Sequence, residues 1–467
     1  MTDSWAAFGA DLHIEPAGGG LRSGLTNALR EAVRTGRLTP GTRLPSSRTL
    51  AVDLGIARNT VADAYAELVA EGWLTARQGS GTRVARRAGV PEPVARGARA
   101  RRVPRRPVHS LLPGSPDLSA FPRAEWLKAA RRALTAAPDA AFGYDDDPRG
   151  RIELRSVLAD YLARARGVYA DPERIVICSG FLHGLTLMGR VLRRRRVRGV
   201  AVESYGLDLH RDLLTGAGLR TPCLPVDELG ARTGELGGTP GVGAVLLTPA
   251  HQFPTGVPLH PDRRAAAVDW ARSSGGLVLE DDYDGEFRYD RQPVGALQGL
   301  DPERVVYLGT AAKSLAPGLR LAWMVLPEDL VEEVCEAKSG FDRMSGMTDQ
   351  LTLAEFIGAG AYDRHVRAMR LRYRRRRDQL VDALAERAPD FRVSGIAAGL
   401  HVVLELPEGT EQSVVQAATW QGLALDRLSR FRHEDAAPGR DGLVIGYGTP
   451  SESGWAGALD ALCRVLP

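Results

Sequence analysis

Six apolar runs punctuate the middle of the chain: RIVICS (174–179), RGVAVE (198–203), GAVLLT (243–248), GLVLED (276–281), RVVYLG (304–309) and RLAWMVL (320–326). None alternates apolar with polar residues, so a strand made from any of them must be buried on both faces. Helix-length amphipathic stretches separate the runs. That pattern predicts an α/β domain built around a mostly parallel sheet. Open sheets of this kind bind ligands outside the carboxyl ends of their strands, which is where chemistry should be sought.

At 467 residues the chain exceeds what a single core usually serves, so two or more domains are expected. With 44% hydrophobic and 25% charged residues it reads as a soluble globular protein. Arg or Asp interrupts every apolar run before membrane-spanning length, so no membrane partner is expected. The start, MTDSWAAFGADLHIEP, carries acids where a signal peptide needs a basic region. Cys178, Cys223, Cys335 and Cys463 lie far apart with no Cys-x-x-Cys. They read as buried thiols of a cytoplasmic protein, with neither a disulfide frame nor a metal site.

Net charge is +4, yet residues 1–110 hold 17 Arg against 9 acidic residues. A polyanion partner is therefore expected at the N-terminal end. Residues 87–110 are dominated by Pro, Gly, Ala and Arg and read as a semi-stiff linker between domains 16–86 and 111–467. Its arginines are open to two readings, contacts to DNA phosphates or a solvated run.

Ahead of the linker the periodicity is helical. LTNALREAVRTG (25–36) lines up Leu25, Ala28, Leu29, Ala32 and Val33, and SSRTLAVDLG (46–55) opens on capping serines and stops at Gly55. IARNTVADAYAELVAEG (56–72) turns Val61, Tyr65, Leu68 and Val69 inward and Arg58, Asn59 and Asp63 outward. Two short strands around Gly79-Ser80-Gly81 follow. This order spells a winged helix-turn-helix that places Arg58, Asn59 and Thr60 at the start of the major-groove helix. Arg pairs with guanine, Asn with adenine, and Thr reaches phosphate or a thymine methyl. Asn59 and Thr60 are open to a second reading as helix caps.

Residues 36–84 closely resemble the DNA-binding domain of GntR-family regulators, with turn, helices and wing in order. The resemblance implies double-stranded DNA as partner, with Arg48 and Arg58 on phosphate and base and Thr60 on the backbone. Arg77 is read with these DNA-binding residues. Ser80 and Gly81 would lie in a wing near the minor groove. Many members carry Arg where this chain has Ala62, which removes one base contact.

Of 61 basic residues only Lys128, Lys313 and Lys338 are lysine. Arg cannot give up its proton, whereas Lys can become a neutral amine nucleophile. Lys313, within GTAAKSLAPGLR (309–320), is thus the candidate for chemistry; Lys128 and Lys338 fit the surfaces of polar helices. A reactive lysine suggests a Schiff base with pyridoxal phosphate (PLP). That cofactor needs a carboxylate at its pyridine nitrogen, a donor at its phenolic oxygen and a helix start with a cation for its phosphate. Asp281, Asp282, Tyr283 and Asp284 end one apolar run, and Ser179, Gly180 and Phe181 open a helix after another. Thr310 and Arg320 flank the lysine.

Residues 111–467 resemble the fold-type I aminotransferase domain, and the whole resembles the MocR/GabR subfamily of GntR regulators. The likeness runs through FGYDDDPRGRIELRSVLADYLARARGV (142–168), TPAHQFPTGVPL (248–259), EDDYDGEFRY (280–289), YLGTAAKSLAPGLRLAW (307–323) and HVRAMRLRYRRRRDQL (365–380). It implies a large lobe at about 140–330 and a small α+β lobe mainly at 390–467. By it Lys313 forms the Schiff base, Asp281 pairs with the pyridinium and Tyr283 bonds the phenolic oxygen. Ser179, Gly180, Thr310 and Arg320 hold the phosphate, and Tyr205 is a candidate to stack on the ring. The implied assembly is a head-to-tail homodimer whose DNA binding responds to an amino compound or to PLP itself.

Four departures accompany it. Ala311-Ala312 replace an aromatic and a Ser before the lysine, and Tyr205 lies in ESYGLDLHR, out of the usual Pro-x-Tyr register. Phe253 stands where enzymes carry Asn, and DGLVIGYG (441–448) lacks the carboxylate-binding Arg, leaving Arg432 or Arg440 as substitutes. These losses point away from efficient transamination. The rival readings are a working aminotransferase with an accessory DNA-binding domain, and a DNA-binding protein whose large domain only dimerises.

Overall fold

Apolar residues three and four apart give the N-terminal helices a common face, and in the computed structural model that face closes a small core. The structure describes residues 20–77, 81–86, 107–144, 147–289, 294–340, 342 and 344–466. They fall into two compact units, within Met1–Pro104 and within Arg105–Pro467.

In the first unit, helices α1 (Leu21–Arg34), α2 (Ser47–Leu54) and α3 (Arg58–Ala70) precede a hairpin of β1 (Leu74–Arg77) and β2 (Gly81–Val84). Leu25, Leu29, Leu50, Val61, Leu68 and Leu74 are fully buried in one cluster. Ser46 accepts the Thr49 N–H at 3.1 Å, which starts α2, and Gly55 at φ 64° ends it in the left-handed region. Gly79 and Ser80 lie outside the described residues, as do residues 16–19 and the linker from 87 to 106.

The second unit contains a seven-stranded sheet. Its strands lie in the order Ile175–Cys178, Ala322–Val325, Val305–Thr310, Leu277–Asp282, Val242–Leu247, Gly199–Glu203 and Cys223–Leu224. Ala322–Val325 runs antiparallel to both its neighbours, while the other pairings are parallel. All six apolar runs are strands. The seventh, two residues long, is too short to give a pattern in the sequence. Alternate residues serve opposite faces: Ile175, Ile177, Tyr307 and Trp323 join one cluster. Val176, Cys178, Leu308 and Met324 join another. Helices cover both sides, which is why no polar alternation is visible.

From Gly199–Glu203 the chain steps outward to Cys223–Leu224, then returns to Val242–Leu247 on the other side. The carboxyl ends of the parallel strands therefore share one edge with a topological switch point. Beyond it, strands Val393–Ser394, His401–Glu405, Gly442–Gly446 and Asp426–Arg427 form an antiparallel sheet. The helices Glu411–Trp420 and Trp455–Val465 and the end of Ala361–Arg387 contribute to its core.

Three details differ from the sequence reading. His109–Ser110, read as linker, pairs in parallel with Leu423–Ala424 and so belongs with the small lobe. Lys338, read as a surface residue, is fully buried and donates to the Pro148 carbonyl at 2.6 Å. Its helix end meets the loop before Gly150, and that carbonyl needs a donor. Of the cysteines, only Cys178 is buried; the other three are half-buried, and all four are free. Among the described residues, no helix is long and apolar enough to cross a membrane.

Candidate functional site

The chain ends of four parallel strands deliver polar residues to one cavity of about 390 Å³. Ser179-Gly180, Glu203, Asp281 and Thr310 sit at those ends, and the Lys313 amine enters from the turn after Val305–Thr310. Burial pushes the Lys313 amine below its ordinary pKa, with Asp281 and then Asp284 pulling the other way. Burial pushes the Asp281 carboxyl well above its ordinary range, with Lys313 opposing. The amine is thus biased toward its neutral, nucleophilic form. Its described hydrogen bond runs to the Gly114 carbonyl at 2.5 Å, in a segment the sequence reading left without a role.

Asp281 Oδ1 is buried without a hydrogen-bond partner. Such an atom is costly unless a donor or cation is brought to it. At the opposite wall, Gly180 (φ 92°) opens the helix Phe181–Arg194 and is held against Arg320. A Cβ on Gly180 would lie 2.8 Å from the guanidinium, so only glycine leaves that cation at the helix start. Arg320, itself at φ 54°, also donates to the Ser179 carbonyl. The Ser179 N–H donates to His183 Nδ1 at 3.1 Å and its hydroxyl to Asp342 at 3.2 Å. Thr310 Oγ1 accepts from the Ala312 N–H at 3.1 Å, bracing the turn that carries the lysine.

Tyr205 and Phe181 line the same cavity with Gly180, Asp281, Tyr283, Thr310, Lys313 and Arg320, whereas Ser179 is not among its lining residues. His210 and Arg430 escaped the sequence reading, and Phe253 entered it only as a departure. His210 lies 4.8 Å from Phe181, ring to ring, and burial lowers its pKa to about 4. Phe253 meets Tyr283, His401 and Phe431 edge-on, at 6.0, 5.2 and 5.1 Å. The cation reaching the cavity from the small lobe is Arg430, paired with Asp426 at 2.6 Å, whereas Arg440 pairs with Glu405 away from it. Isolated arginines carry no sequence signal in so arginine-rich a chain.

The N-terminal unit presents a different surface. Arg48, Arg58, Asn59, Arg77 and Gly81 are exposed and Thr60 is half-buried. The cap of α3 is Ala57 with no side-chain bond, so neither Asn59 nor Thr60 serves as its N-cap. On α1, Arg22 is paired with Glu67 of α3 and Arg30 with Glu71, which caps the end of α3. Arg43, Arg48 and Arg58 have no acidic partner among the described residues. Arg43, passed over in the sequence, lies against the wing: a Cβ on Gly81 would come within 3.3 Å of its Nε.

Residues 21–84 match the family of bacterial regulatory proteins of the gntR type, and residues 114–440 match aminotransferase class I and II. The pyridoxine biosynthesis transcriptional regulator PdxR of Corynebacterium glutamicum is 33% identical over 92% of each chain. A probable rhizopine catabolism regulatory protein, MocR of Rhizobium meliloti, is 32% identical over 91% of this chain and 89% of its own. The chain belongs to the MocR-type transcriptional regulators of the GntR family. The aminotransferase fold of this MocR-type regulator is also that of Pyrococcus horikoshii kynurenine aminotransferase. The two share 25% identity over 77% of this chain and 90% of that one, at a TM-score of 0.68. An archaeal alanine:glyoxylate aminotransferase shares the fold at a TM-score of 0.69 and 24% identity, covering 76% and 90% of the two chains.

Proposed function

We propose that this MocR-type regulator binds pyridoxal phosphate at Lys313 and uses the loaded large domain to govern how its winged helices engage double-stranded DNA. The observation that carries the reading is the pairing, in one cavity, of a lysine biased toward neutrality with a buried Asp281 oxygen lacking a partner. The residues fit the cofactor. Asp281 would meet the pyridine nitrogen, the Tyr283 hydroxyl would lie beside the phenolic oxygen, and Ser179, Gly180, Thr310 and Arg320 would hold the phosphate. Phe181, Tyr205 and His210 would supply the flanking surfaces. When bound, the cofactor would offer an aldehyde to the Lys313 amine, and their linkage, made with loss of water, would absorb visible light.

An amino compound, or the cofactor itself, would act as effector by binding one conformation of the protein better than another. Regulation rather than turnover is favoured by Phe253, whose side chain cannot donate a hydrogen bond, and by the pairing of Arg430, the small-lobe arginine at the cavity, with Asp426. A head-to-tail homodimer would set the spacing of two DNA-binding units. The purified protein should be yellow, and Lys313→Ala should remove that absorption. An unchanged spectrum in the variant overturns the reading.

A further inference from the structure

Tyr283 is itself held by a buried pair that the foregoing roles do not use. Its hydroxyl donates to the His251 carbonyl at 3.0 Å and lies 3.1 Å from His251 Nδ1. Nδ1 is 2.9 Å from Asp284 Oδ2, and both side chains are almost wholly buried. A carboxylate accepts hydrogen bonds, so the hydrogen sits on Nδ1, directed at Asp284 and at the phenol oxygen. His251 Nε2 is buried without a partner, which leaves the ring oriented through its Nδ1 edge alone. Two glycines enclose it. A Cβ on Gly399 (φ 71°) would fall 2.2 Å from His251 Cε1, and one on Gly256 (φ 73°) 3.4 Å from Nε2.

We infer that His251 and Asp284 are positioning residues: they clamp the Tyr283 hydroxyl and thereby set the proton affinity of the lysine-bound cofactor. A phenol has one hydrogen to give, and the clamp gives it to the His251 carbonyl. That carbonyl remains when the side chains are changed, but without the Nδ1–H against its lone pair the hydroxyl can turn, and with Phe253 apolar its hydrogen then reaches the cofactor's phenolic oxygen. Drawing negative charge from that oxygen lowers the pH at which the linkage loses its proton. The other charged or titratable groups facing the site are Asp281, Glu203, Lys313, Tyr205, His210, Arg211 and Arg320 from the large lobe and His401, Asp426 and Arg430 from the small lobe.

The inference rests on PLP binding at Lys313, and its test separates the two. Full-length protein loaded with PLP is titrated while the visible band is followed. His251→Leu and Asp284→Asn should each lower the spectral midpoint by at least about half a pH unit, roughly threefold in proton affinity. Asp284→Glu should restore part of the shift. In a Tyr283→Phe background the same substitutions should move it much less, because they act through the hydroxyl. Asp284→Asn is nearly isosteric and keeps the test intact should His251→Leu fail to fold. Equal shifts with and without the Tyr283 hydroxyl, or no shift at all, overturn the clamp while leaving the cofactor reading standing. Absence of the band in the wild type overturns both.

Discussion

The two charged regions of this regulator are built on opposite principles. On the N-terminal unit the cations are arginines, fixed in charge, and the exposed Arg43, Arg48 and Arg58 have no acidic partner among the described residues. In the cavity Lys313, Asp281, Glu203 and Tyr283 are buried enough that environment decides their state, even with arginines at its rim. Arg cannot be deprotonated and suits a polyanion whose binding is governed by salt. Buried Lys and Asp suit chemistry that turns on proton position. One region should respond to ionic strength and the other to pH, and each substitution below probes that division.

The largest effect is expected at Asp281. Asp281→Asn keeps the volume but removes the charge that would pair with a protonated pyridine nitrogen. Breaking a buried pair costs on the order of 3 kcal/mol, or more than a hundredfold in PLP affinity. Equilibrium binding monitored by absorbance checks this, and added salt should change it little because the site is buried. A variant that binds PLP as tightly as the wild type removes Asp281 from the site.

Arg58→Ala comes next. It should weaken operator binding by roughly 1–3 kcal/mol and relax one base preference. Wild-type affinity should fall steeply with salt. Uniform weakening across all sequences, with a shallower salt slope, would reassign Arg58 to phosphate. A salt-insensitive wild type would break the contrast between the two regions.

What the sequence made legible follows the same division. The sheet was readable because strands buried on both faces have no polar alternation, and Lys313 because lysine is so rare in this chain. The winged unit was readable from Ser46, Gly55 and the helical spacing of Leu25, Leu29 and Ala32. The surroundings of the site were not. His251 meets Asp284 across 33 residues, and Lys313 meets Gly114 across 199. Such pairs depend on loop paths that no local periodicity records. Lys338 was misplaced for a related reason: a polar helix still buries a cation where its end covers another segment's carbonyl.

The smallest expected effect concerns stability, and its sign is specific. Glu203 lines the cavity and accepts from Thr248 Oγ1 at 2.5 Å, the Thr248 N–H at 3.2 Å and Gln252 Nε2 at 3.3 Å. Burial outweighs these bonds and raises its pKa from 4.5 to about 7. Between those values the folded chain keeps a proton that the unfolded chain has lost, so the group's contribution declines as pH rises. Below that window the protonated acid is at no disadvantage. Above it, ionisation in the fold costs on the order of 1–3 kcal/mol. Glu203→Gln cannot ionise, and its amide oxygen can accept the same donors. The variant should match the wild type near pH 4.5 and unfold at higher temperature near pH 8. Stability curves that stay parallel across that range would show that Glu203 is as easily ionised as a surface acid, and that the cavity is wetter than its lining implies.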